Sequence, residues 1–189
     1  MKYLFLFSFI SVFITSCNSD KLSKKEKQTY IAKGKEIGKA TVKKLGSNLM
    51  KHMKEGGPQQ AIPFCNIKAS TLTKEMADKY HVSIKRTSHK IRNKKNTPTE
   101  AENAIIKQYL ASVTKEEKLK PIVKKDASGK VHFYAPIKLE GKCLACHGTV
   151  EKQVSLKTDS ILKVLYPNDK ATGFKIGDFR GIVNITFNE

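Results

Sequence analysis

Cys143-Leu-Ala-Cys146-His147 is the stretch of this chain whose residue types and spacing point most directly to chemistry. Two thiols three residues apart can add across the two vinyl groups of a haem. A histidine beside the second thiol then falls beneath the porphyrin as an axial ligand to iron. Rival readings of these cysteines ask for neighbours that the sequence does not supply. A thioredoxin-like C-x-x-C would follow a strand of a βαβ unit, and a zinc site would need a second Cys/His pair at ligand spacing. A plain disulfide between Cys143 and Cys146 is the bland alternative. The expected cofactor is one covalent haem c on Cys143 and Cys146, with His147 as a ligand to its iron.

Cys17 and Cys65 complete the set of four. Cys17 ends a segment in which Lys2 precedes the apolar run Tyr3 to Ile14, then Thr15-Ser16-Cys17, then Asn18-Ser19-Asp20-Lys21. A basic start, a short apolar run and a small-residue zone form an export signal, and the run is too short to span a bilayer. Its Ile-Thr-Ser-Cys ending resembles a bacterial lipobox. The expected division is a lipoprotein signal over 1–16, a linker lipidated at Cys17 over 17–27, and a haem domain over 28–189. An ordinary secretory signal and an uncleaved anchor are the alternatives. Each version exports the chain, here expected as a membrane-anchored lipoprotein facing the periplasm, where disulfides are permitted.

Cys65 is the thiol left over. It lies in a helical pattern with Ile62, Ala69, Leu72 and Met76, so its side chain faces inward. On that pattern alone the favoured reading is a small buried hydrophobe, with iron ligation from the face opposite His147 as the functional alternative.

The 36 cationic residues against 17 acidic ones give a net charge of +19. Only Arg86, Arg92 and Arg180 are arginines, and the lysines are spread along the chain. Lysine is the ordinary solubilising cation and arginine the usual reader of phosphate, so a solvated surface is favoured over a nucleic-acid site. Such a surface suits docking to an acidic redox partner. Sparse Gly and Pro exclude collagen-like and low-complexity classes, and 189 residues make one domain.

The elements that must position these groups follow from periodicity. A helix from Leu22 to about Glu55, with Ile31, Gly38, Val42, Leu45, Leu49 and Met53 as its apolar stripe, stops at Gly56-Gly57-Pro58. A second helix runs from about Gln59 to Tyr80, and Val82 to Ser88 alternates as a strand. Thr99 and Glu102 cap a helix reaching about Val113. Ile122–Asp126 and Lys130–Lys138 read as a hairpin, followed by a short helix near Asp159–Leu165 and a closing strand from about Asp178 to Phe187. Helices first and antiparallel strands later imply an α+β fold with haem between helix and sheet.

Several segments together resemble one family, the small extracytoplasmic c-type haem domains with a PAS-like fold, known as freestanding cyanobacterial proteins and as periplasmic sensor modules. They are Ala61-Ile-Pro-Phe-Cys65-Asn66, Arg86-Thr-Ser-His-Lys-Ile-Arg92-Asn93 with Asn96 and Pro98, and Tyr134-Ala-Pro-Ile137. Cys143 to Gly148, Tyr166-Pro-Asn-Asp169 with Ala171 and Gly173, and Gly177-Asp-Phe-Arg-Gly181 complete the set. The resemblance implies thioethers at Cys143 and Cys146, proximal His147 and distal Cys65 as axial iron ligands. Arg86 and Arg92 are then expected near the haem edge, serving propionates or the thiolate, with structural carboxylates as the even alternative. Were Cys65 not the ligand, His52, His81, His89, His132, Met53 or Met76 would compete, His132 foremost.

Thiolate ligation favours ferric iron and a low potential, and two filled axial positions leave no place for substrate. The expected function is one-electron transfer without bond-making, hence no enzyme. A redox or diatomic-gas sensor acting through a partner protein is the alternative, and a peroxidase-like enzyme ranks last.

Overall fold

The computed structural model describes residues 21–188. The proposed signal peptide and Cys17 lie outside the described residues.

Helix α1 is assigned over Lys24–Tyr80, but Gly56 and Gly57 inside it are not helical. Gly57 has φ +65°, a left-handed value natural to glycine, and Pro58 restarts the helix as a first-turn residue. The chain folds back there. His52 stacks on Phe64 at 3.8 Å between ring centroids, and Lys44 lies 3.8 Å from Glu75. These contacts require two antiparallel limbs, since the members of each pair would be far apart along a straight helix. The first limb begins with Ser23 and Glu26 in a capping box, so the stretch expected as linker over 17–27 is helical from Lys24.

Beyond α1 come β1 (Val82–Thr87), α2 (Glu100–Thr114), β2 (Ile122–Lys125), β3 (Val131–Lys138), α3 (Leu144–His147), α4 (Leu156–Leu165) and β4 (Phe179–Phe187). The four strands form one antiparallel sheet in the order β1-β4-β3-β2. Helices and antiparallel sheet together make the α+β fold.

The central strand β4 is buried on both faces, with Phe179, Ile182, Val183, Ile185 and Phe187 pointing to one side or the other. One face of the sheet packs Val131, Phe133, Val183, Ile185 and Phe187 against Ile37 of the first limb. The other packs Tyr134, Phe179 and Ile182 against Ile105, Ile106 and Tyr109 of α2. Gly34 is buried against Phe133, and a methyl group there would overlap the ring. The first limb therefore presents Gly34, Ile37 and Thr41 to the core, whereas Val42 of the expected stripe is 57% exposed. Close approach to an aromatic ring selects the smallest residues on a helix, which a count of apolar types passes over.

A smaller cluster joins Ile62 of the second limb to Val154 and Leu162, with Cys146, Val150 and Tyr166 packed against it. Gln59 Nε2 donates to Thr158 Oγ1 at 3.3 Å across the same boundary. The second limb of α1 thus packs on α4 and on the segment around Cys146, while Arg86 of β1 stands within electrostatic reach of Cys65.

Candidate functional site

Gly141–Cys143 forms one 3-10 turn that runs directly into α3, placing Cys143, Cys146 and His147 on consecutive helical turns. All three are partly buried. His147 Nδ1 lies 2.7 Å from the carbonyl oxygen of Ala171. A carbonyl only accepts, so Nδ1 carries the proton and donates, and Nε2 is left with a free lone pair. Burial pushes the imidazole pKa down to about 3, helped by Arg92 and Arg180. The ring is therefore neutral at ordinary pH, with its orientation fixed from behind, the condition a metal-binding histidine requires.

Arg92 holds this arrangement together. Its Nε donates to Asp169 Oδ2 at 2.9 Å, and its Nη2 donates to the carbonyls of Cys146 at 2.6 Å and Ala171 at 3.2 Å. Asp169 Oδ1 in turn accepts the Ala171 amide at 2.7 Å. The Ala171 carbonyl thus takes hydrogen bonds from both His147 and Arg92. Arg92 is thus paired with a structural carboxylate, one of the two roles expected for it. The loop carrying the partner is set by Phe174 and Gly173 amides donating to the His147 and Gly148 carbonyls at 3.0 and 2.8 Å.

Cys65 lies on the second limb three residues after Ile62, within electrostatic reach of Cys146 and Tyr166. The inward-facing pattern is borne out, and its neighbours add what the pattern lacked. Burial pushes the thiol pKa up, while Arg86 and Arg92 pull the other way. Arg86 follows Val82 and Ile84 on the same face of β1. Burial lowers its pKa, and it meets no carboxylate among the described residues. Cys65, Arg86, Arg92, Cys143, Cys146 and His147 therefore gather in one region. A cavity of about 260 Å³ adjoins it, lined by Asn66, Ser70, Arg92, Tyr166 and neighbouring residues.

Of the competing histidines, His132 is engaged, His52 and His81 stand at the fold-back and the far end of α1, and His89 lies nearer the site, one ring away from His147. His132 has Nε2 at 2.9 Å from Asp126 Oδ2 and Nδ1 at 3.0 Å from Thr186 Oγ1. His52 stacks at the fold-back of α1, and His81 caps the end of that helix. His89 packs beside Phe174 and Phe179.

The model of the Tll0287-like family matches residues 18–188, nearly the whole chain. The chain belongs to the Tll0287-like family. The crystal structure titled as that of the cyanobacterial heme-protein Tll0287 aligns with it at a TM-score of 0.60 and 23% identity, covering 81% of this chain and 94% of that one. At that identity the likeness concerns the fold. No curated protein matches the sequence. The family match includes both the second limb of α1 and the segment around α3, so this Tll0287-like chain carries the whole gathered region within the matched length.

Asp169, Ala171 and Tyr166 stood in the matching motifs without a role assigned to them. Arg180 did as well. The signal for Asp169 was present in its own segment, Tyr-Pro-Asn-Asp, but nothing local connects it to an arginine 77 residues earlier.

Proposed function

We propose that this chain binds one haem covalently through Cys143 and Cys146, with His147 and Cys65 as axial ligands, and that it carries single electrons at the extracytoplasmic face of a membrane. The observation that carries this reading is His147: one ring nitrogen tied to a backbone carbonyl, the other free, beside two thiols and within a region that also holds Cys65. Among the described residues no three or more His, Cys, Asp or Glu groups converge as a cage for a bare ion. One imidazole and one sulfur are the donors that an axial pair needs. Membership of a family that includes a cyanobacterial heme-protein supports the same cofactor.

When bound, a haem supplies reversible one-electron chemistry at iron. The residues of the chain do the rest. Cys143 and Cys146 would hold the porphyrin beside α3 through thioether bonds. His147 offers Nε2 with its tautomer already set by Ala171. Ile62, Val154 and Leu162 keep water from the surrounding space. With an imidazole and a sulfur committed, no position is left for a substrate, which argues against an enzyme.

Burial raises the Cys65 thiol pKa despite Arg86 and Arg92. A sulfur in such a place takes up a proton readily once released, and this favours a second reading as a redox or gas sensor acting through a partner protein. Under either reading, lipid on Cys17 tethers the chain to the membrane and the lysine surface docks an acidic partner. No helix among the described residues is long and apolar enough to cross a membrane.

Matured protein should keep its colour after denaturation and an acid-acetone wash, and lose it when Cys143 and Cys146 are both replaced by serine. Absorption and EPR spectra of wild type, Cys65→Ala and His147→Ala then test the ligands; an unaltered ferric low-spin signal in Cys65→Ala would remove Cys65. Carbon monoxide binding with loss of the thiolate spectrum on reduction marks the sensor. Six-coordinate iron in both oxidation states, with fast exchange to a second cytochrome, marks the carrier.

A further inference from the structure

The three arginines of this lysine-rich chain share one neighbourhood, each within electrostatic reach of the others at Arg180. Their circumstances differ. Arg92 is committed to Asp169 and two backbone carbonyls. Arg86 lies within electrostatic reach of the Cys65 thiol and the Tyr166 hydroxyl. Arg180 is paired with no carboxylate among the described residues. Its Nη1 donates to the Lys90 carbonyl at 2.9 Å and its guanidinium carbon lies 5.4 Å from the centre of the Phe174 ring.

Lys90 Nζ lies 5.0 Å from the centre of that same ring, and His89 meets it edge-on at 6.2 Å. Two cations are therefore held about one phenyl group, and neither is paired with a carboxylate among the described residues. The closest acid in electrostatic terms is Asp169, whose two oxygens are taken by Arg92 and the Ala171 amide. Burial draws the Arg180 pKa down to about 10. Like charges gathered where their charge is disfavoured repel one another, and an anion between them reverses the sign of that interaction. Phe174 is buried and also meets the edge of His147, with ring centres 6.4 Å apart, so the cluster abuts the C-x-x-C-H turn.

We propose that Arg180, with Lys90 and His89 beside it around Phe174, forms a carboxylate subsite next to the C-x-x-C-H turn and binds a haem propionate. This rests on the haem reading above. A porphyrin fixed to Cys143 and Cys146 brings two carboxylates with it, and the planar fork of arginine matches a carboxylate better than any lysine on the surface does. The assignment divides the arginines: Arg92 holds the polypeptide, Arg86 supplies positive charge within electrostatic reach of the sulfur, and Arg180 meets the carboxylate. A free carboxylate would offer the same chemistry from solution, so the test must separate the two sources.

The test uses the full haem-loaded protein as wild type, Arg180→Gln, Arg180→Lys and Lys90→Gln. Colour after the acid-acetone wash is read first, because its loss overturns the haem reading and this inference with it. With colour retained, resonance Raman reads the propionate bending band and spectroelectrochemistry reads the ferric/ferrous balance. Arg180→Gln should shift the band and, by removing a positive charge, favour the ferric form about tenfold. Arg180→Lys should shift the band and leave the balance near wild type. Lys90→Gln removes an exposed side chain, should move both readings less but in the direction of Arg180→Gln, and serves alone if the Arg180 variants fail to fold. Added acetate should leave the wild type unchanged, because the subsite is filled. A saturable response of the wild-type balance to acetate, or unchanged band and balance in the glutamine variants, overturns the assignment.

Discussion

Replacing Arg92 by methionine keeps most of the side chain's length and removes its charge and its donors. The loss falls on Asp169, whose side chain is only 9% exposed beside an arginine that is 13% exposed. The Cys146 carbonyl also loses the donor at 2.6 Å. Breaking a buried ion pair from one side costs about 3–5 kcal/mol, because the remaining charge is stranded away from water. Asp169 keeps its bond from the Ala171 amide, which places the expected cost at the low end, about 3 kcal/mol. For a chain of this size that corresponds to a fall in Tm of roughly 6–12 °C. Urea unfolding followed by circular dichroism measures it on the matured protein. Asp169→Asn removes the other charge, and the double variant should cost less than the sum of the singles by about 1.5 kcal/mol or more. A cost below about 1 kcal/mol for Arg92→Met, or simple additivity in the cycle, would refute the clamp.

Two glycines of the first limb should respond with opposite signs. Gly34→Ala drives a methyl group into Phe133 and should cost about 1–3 kcal/mol, whereas Gly46→Ala meets nothing within 4 Å and should gain up to about 1 kcal/mol. Denaturant midpoints decide, and a neutral Gly34→Ala would sink the close-approach argument. Glu102 sets an acid limit. Burial alone would raise its carboxyl pKa, but hydrogen bonds from Lys85, the Thr99 amide and Asn184 prevail and hold it below the ordinary 4.5. The unfolded chain then takes the proton first, so this stabilisation is present above about pH 4.5 and is lost as pH falls through the lower folded value. Glu102→Gln should flatten that limb of a stability–pH curve; an identical limb in the variant would show that the carboxylate is not responsible.

Local signals carried much of this molecule into view. The C-x-x-C-H turn, the break at Gly56-Gly57-Pro58 and the Thr99–Glu102 capping box each lie within a few residues, and each stands where the spacing put it. The inward face of Cys65 was also legible, because helical periodicity is local. What it faces was not, since Tyr166 and Cys146 arrive from distant segments. Arg92 shows the same limit: two kinds of carboxylate suit a guanidinium equally, and the approach of Asp169 from a distant segment is not written in the residues around Arg92. The cluster about Phe174 joins residues 89–90 to 180 through a ring that belongs to neither segment. The stripe of the first limb was only partly legible for another reason: Val42 is exposed, and the buried Gly34 and Thr41 were passed over. Both rank low by hydrophobicity, yet close approach to the Phe133 ring rewards the small size of Gly34, and Thr41 satisfies its hydroxyl on the Ile37 carbonyl.

The reversal at Gly57 makes the second limb a lever arm. Cys65 stands eight residues beyond that pivot, about 12 Å along the helix axis. A swing of about 10° there would carry the sulfur about 2 Å, comparable to the length of a metal–sulfur bond. The lever is steadied near its fulcrum by Gln59 against Thr158 and further out by Ile62 in the packed cluster. Whether sulfur reaches a metal is thus governed by side chains that never touch one.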